Sequence, residues 1–125
     1  MADDGRWERG AEMIKEVYAG DVVTAPKGVM DFSDLMLESL FAEVWTREAL
    51  SIGERRLVLL GVIGALGERD TFAIQAKAAL KRGELTPEQL REVLITVAAY
   101  AGYPRAAGLI ATVEGAIAEH GKNAG

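Results

Sequence analysis

Apolar positions recur along this chain at spacings of three and four, the period of a helix with one buried face. Trp7, Ala11, Ile14 and Tyr18 mark a first helix over about residues 5–19, closed by Gly20 and Asp21. Residues 22–31 carry Pro26 and Gly28 and read as a loop. Phe32, Leu35, Met36, Leu40, Val44 and Trp45 outline a second helix, and Ser51-Ile52-Gly53 breaks the chain again. Residues 54–66 predict a third helix, apolar on nearly every side after Arg56, which has to be covered all round. In so short a chain that coverage is expected to come partly from neighbouring subunits.

A fourth helix is predicted over residues 70–82, ending at Gly83. Thr86-Pro87-Glu88-Gln89 is a helix start: Thr86 as N-cap, Pro87 at the first helical position, Gln89 closing a capping box. Leu90, Val93, Leu94, Val97, Ala98 and Ala101 then form one stripe. Gly102-Tyr103-Pro104 ends it, and Ala106, Leu109, Ile110, Val113 and Ile117 outline a last helix. No alternating strand pattern intervenes. The expectation is an all-α protein of about six helices. One domain spans 1–125, with a helix and loop over 1–31 and the main body over 32–120.

Composition narrows the chemistry. The chain has 125 residues, half of them apolar and 26% charged, enough to bury a core. It has no cysteine and one histidine, His120. A disulfide framework, a cysteine–zinc site, an iron–sulfur cluster and a thiol nucleophile are thereby excluded, and no metal or other cofactor is expected. The net charge is −5 and the basic residues are scattered, so no nucleic-acid partner is expected. The acidic start Met1-Ala2-Asp3-Asp4-Gly5 does not resemble a signal peptide. The most apolar run, residues 57–66, is half the roughly 20 residues needed to span a bilayer. A soluble, cytoplasmic protein is expected.

Four segments match a known pattern in order and spacing. They are Trp45-Thr46-Arg47, Glu54-Arg55-Arg56-Leu57-Val58-Leu59-Leu60, the run from Leu80 through Gly83-Glu84-Leu85-Thr86-Pro87-Glu88 to Leu94, and Tyr100-Ala101-Gly102-Tyr103-Pro104-Arg105-Ala106-Ala107. Together they resemble the carboxymuconolactone decarboxylase family, which includes the alkylhydroperoxidase D-like proteins. The resemblance implies an all-α fold assembled as a homotrimer or homohexamer. The peroxidase branch of that family carries two cysteines where this chain has Glu68 and Thr71, a histidine at Gln75 and a glutamate at Arg56. Peroxide reduction needs a thiolate, so that chemistry is absent. The decarboxylase branch is more similar, although it generally has a histidine at Gln75 and another near Ser39.

The resemblance singles out candidate residues. Glu68, Thr71, Phe72 and Gln75 share one face of the fourth helix and are candidates to line the pocket; alternatively Glu68 and Thr71 merely begin that helix. Glu43 is a candidate general acid, or a surface carboxylate paired with Arg47. Arg55 is a candidate clamp for a carboxylate, or a bridge between subunits. Trp45 is a substrate platform or a core residue. Lys77 is expected to be solvated, Tyr100 to pack with its hydroxyl bonded, and His120 to cap the last helix. The implied function is a lyase acting on a small lactone acid or related cyclic metabolite of aromatic catabolism, in a pocket at a subunit interface. Gln75, Glu43 and Arg55 are its candidate catalytic residues. Trp45, Glu68, Thr71 and Phe72 are its candidate substrate contacts. The alternative is a non-catalytic small-ligand-binding or assembly protein on the same fold.

Overall fold

A computed structural model describes residues 4–124. Among them the chain is all helical, in six long helical runs and one short helix. None of these helices is long and apolar enough to cross a membrane. The chain divides into two compact units, Met1–Ile52 and Gly53–Gly125.

In the first unit, α1 (Arg6–Val17) buries Gly10, Ile14 and Val17 against a second helical run. That run begins as α2 (Asp31–Leu35) and continues as a π-helical segment, Met36–Val44. The wider winding is seen where the Trp45 amide donates to the Leu40 carbonyl, five residues back, at 3.1 Å. It also changes which side chains go inside. Leu37, Phe41 and Trp45 are buried at spacings of four, with Ala42 buried beside Phe41. Phe32, Leu35, Leu40 and Val44, expected on the inner stripe from a 3.6-residue period, are exposed. Phe41 stacks on Trp45 at 6.2 Å between centroids and meets Tyr18 edge-on at 5.9 Å, two favoured aromatic geometries. Gly10 lets α1 come this close, since any β-carbon there collides with the Leu37 carbonyl group. The loop over residues 18–30 is tied back by Asp34, whose carboxylate accepts from Trp7 Nε1 at 2.8 Å and from the Gly28 amide at 3.0 Å.

The second unit contains α3 (Ile52–Leu66), α4 (Arg69–Lys81), α5 (Pro87–Ala101), the short α6 (Tyr103–Ala107) and α7 (Ile110–Ala124). Its core is Leu60, Phe72, Ala76, Leu80, Leu90, Leu109, Val113 and Ala116. The expected capping box opens α5: Gln89 N donates to Thr86 Oγ1 at 3.1 Å, and Thr86 N donates to Gln89 Oε1 at 2.9 Å. Helix α3 is not covered all round within the chain. It buries Arg56, Leu60 and Gly64, one residue every turn, and leaves Leu57, Val58, Val62 and Leu66 exposed on its other side. Two expectations are corrected. Tyr100 is 93% exposed rather than packed. His120 lies inside α7, which runs on to Ala124, so it does not cap that helix.

Candidate functional site

The second unit holds an unusual interior group. Arg56 follows Ile52 by four residues on α3, in line with Leu60 and Gly64, so the helical repeat turns it inward. Its side chain is 0% exposed. A guanidinium cannot lose its proton in a protein and is costly to bury unless paired, so its partners define the site. Nε and Nη2 donate to the two carboxylate oxygens of Glu84 at 3.0 and 3.2 Å, a two-point clamp. Nη1 donates to Gln75 Oε1 at 2.7 Å.

Local structure explains how these groups meet. Gln75 is on the buried stripe of α4, with Phe72, Ala76 and Ala79. Gly83, at φ 74°, adopts the left-handed conformation that ends a helix without strain for glycine. The chain turns there, and Glu84 comes back against α3 rather than leading away. Arg82, at the end of α4, also holds Glu84: its Nε donates at 2.6 Å to Oε2, the oxygen that accepts from Arg56 Nη2. Glu84 is thus 9% exposed and gripped by two arginines. Counted over these three charged side chains, the group carries one positive charge in excess.

Of the residues singled out by sequence, Gln75 joins this group. Phe72 is fully buried in the core beside it. Glu68 and Thr71 are exposed at the start of α4, where Glu68 is the N-cap residue and Thr71 Oγ1 donates to the Glu68 carbonyl at 3.4 Å. Glu68 borders a polar groove with Asp70, Lys77, Thr112 and Glu119. Lys77 pairs there with Glu119 at 2.9 Å. The four candidates of α4 therefore split two inward and two outward, because one face of a helix in a 3.6-residue repeat still spans an arc. Arg55 is half-buried beside Arg56. Successive residues on a helix diverge by about 100°, and it is Arg56 that bonds Gln75. In the first unit, Glu43 is exposed and pairs with Arg6 at 3.3 Å, and Trp45 is buried in the aromatic stack.

Sequence reasoning noticed Arg56 only for the residue it replaces, and it missed Glu84 and Arg82 as site residues. One signal was available. Arg56, Leu60 and Gly64 continue a single buried line at i, i+4 and i+8, and a charge on such a line needs a partner.

These features define a cysteine-free, all-helical protein built around a buried arginine, glutamate and glutamine. The chain belongs to the carboxymuconolactone decarboxylase family, whose model matches residues 31–114. That stretch includes Arg56, Gln75, Arg82 and Glu84. The chain is also 29% identical over 109 residues to a 4-carboxymuconolactone decarboxylase of Acinetobacter baylyi, covering 83% of this chain and 81% of that relative.

Proposed function

We propose that the protein is a decarboxylase-type lyase acting on a small lactone acid, 4-carboxymuconolactone or a close relative of it. The observation that carries this reading is the similarity to a 4-carboxymuconolactone decarboxylase along four-fifths of each chain. In such a reaction the bond to a carboxylate carbon breaks and CO2 leaves. The electron pair passes toward the lactone carbonyl, and a proton returns to carbon. The protein must hold the acid groups, stabilise the oxyanion and supply the proton. In this reading Gln75 donates a hydrogen bond to the oxyanion, since an amide cannot carry the proton near neutral pH. Arg55, in the same unit, holds a carboxylate.

A homotrimeric or homohexameric assembly belongs to the same reading. It is supported by the outer face of α3, where Val58, Val62 and Leu66 are each more than half exposed. Apolar residues clustered on one helix face in this way are a usual mark of an association surface. Purified protein mixed with 4-carboxymuconolactone and a panel of related lactone acids is expected to release CO2 from at least one. Failure with all of them overturns the lyase reading and leaves a binding or assembly role.

A further inference from the structure

We infer that the outer face of α3 is a self-complementary contact, on which the same helix of a second copy lies antiparallel about a two-fold axis between Gly61 and Val62. The inference deepens the assembly in the reading above. It names the face and its orientation, and it requires an even number of copies, which a hexamer meets and a trimer does not.

Helix α3 buries Arg56, Leu60 and Gly64 on one side. On the opposite side Val58, Gly61, Val62 and Ala65 fall within an arc of about 100°. Val58 is 60% and Val62 52% exposed, and Leu57 and Leu66 are exposed at the flanks. Such a face gains free energy when it is covered. The groove beside it, lined by Leu57, Val93, Val97 and Tyr100, continues the apolar surface onto α5.

Gly61 indicates what covers the face. Glycine in the middle of a helix is unfavourable relative to alanine, so its presence needs a reason. Gly64 has one inside the chain, since a β-carbon there would come within 3.3 Å of Phe72 and Val97. At Gly61 a β-carbon would meet nothing within 4 Å among the described residues. The chain's own packing does not call for glycine at 61, whereas a second helix crossing close over the face does.

The order of sizes sets the orientation. Along α3 the face reads large, small, large, small: Val58, Gly61, Val62, Ala65. Parallel copies would set Val58 on Val58 and Val62 on Val62, and leave Gly61 opposite Gly61. Antiparallel copies centred between Gly61 and Val62 set each Val58 on Ala65 and each Val62 in the notch at Gly61, with Leu57 beside Leu66. That is ridges-into-grooves packing. The same register brings exposed Glu54, near the start of one α3, level with exposed Arg69, just past the end of the other. Parallel copies would place like charges together.

The chain has no cysteine, so introduced thiols report on this contact alone. In full-length protein carrying Val58→Cys and Ala65→Cys together, oxidation by diamide is expected to give a closed covalent dimer. Val58→Cys alone is expected not to cross-link. Its two copies lie about 10 Å apart along the helix axis, beyond the roughly 7 Å that a disulfide spans between α-carbons. Cross-linking of Val58→Cys alone would mean a parallel contact, and a ladder of longer products from the double variant would mean a head-to-tail one. Either result, or no cross-link at all, overturns the inference.

Val62→Glu and Gly61→Leu are each expected to halve the mass of the assembly in sedimentation, with the far-UV circular dichroism unchanged. Val62 is half exposed and Gly61 has open space beside it, so the subunit keeps its fold. Unchanged mass in both variants overturns the inference. So does a wild type of one or three copies, in which another segment or another partner covers the face. Turnover separates this inference from the lyase reading. A closed dimer in a protein that releases CO2 from no lactone acid leaves the contact standing and ends the lyase reading, and CO2 release without the cross-link does the reverse.

Discussion

The two units solve the problem of a small core in different ways. The first closes around aromatic rings, with Tyr18, Phe41 and Trp45 in contact and Gly10 allowing two helices to touch. Ion pairs of this unit such as Arg6 with Glu43 and Lys27 with Glu8 stay at the surface, where such pairs contribute little. The second unit takes a charge inside. Among the described residues Arg56 is the one charged side chain classed as buried, and its partners Gln75 and Glu84 come from separate segments. An apolar interface tolerates change in proportion to the volume altered. A buried ion pair does not, because removing one partner strands the other. The second unit is therefore the more specified of the two.

This contrast can be broken experimentally. The largest effect is expected for Glu84→Ala, which leaves Arg56 without its two-point partner. It should cost about 3–5 kcal/mol, measured by denaturant unfolding, with loss of hydrogen-exchange protection concentrated in α3 and α4. A cost below about 1 kcal/mol would mean that the pair is solvated in practice. A smaller effect is expected for Gly10→Ala in the first unit. The added methyl meets the Leu37 carbonyl group, and the resulting shift of backbone should cost about 1–3 kcal/mol despite the better helix propensity of alanine. Unchanged or raised stability would show that the two helices can slide apart freely.

The smallest effect is expected at an exposed pair. Arg91 binds Glu114 by two hydrogen bonds of 2.8 Å, which hold the Glu114 carboxyl below its ordinary range and the Arg91 guanidinium above its own. A lowered carboxylate pKa stabilises the fold above the unfolded-state pKa, and that contribution fades as pH falls through the folded value. Arg91→Ala should thus lower the thermal midpoint by no more than about 2 °C near neutral pH. The difference from wild type should vanish in acid. A difference that grew on acidification would contradict this sign.

Much of the helical layout was legible. The Thr86–Gln89 capping box, Gly83 after α4 and the Gly102 break are local signals, and each appears where the residues place it. Family membership was legible as well, from segments spread over most of the chain. The π-helical winding of Met36–Val44 was not. Its buried set, Leu37, Phe41, Ala42 and Trp45, follows a period longer than the one used to read it. The Arg56 group was hidden for another reason. A charged residue on a helix is ordinarily read as facing water, and the partner that brings this one inside lies 28 positions along the chain. Tyr100 was misjudged because its exposure is decided by tertiary packing, which local pattern does not encode.

The buried clamp also has an evolutionary consequence. Arg56 bonds both Gln75 and Glu84, so a drift from arginine to a neutral residue takes a partner from a buried carboxylate, and loss of the carboxylate takes one from a buried guanidinium. The three are therefore expected to be inherited as a set. Among related chains, those with Glu at position 84 should keep Arg at 56 and an oxygen acceptor at 75. Lineages with a different residue at one of these positions should differ at the other two, so the trio marks a branch of descent.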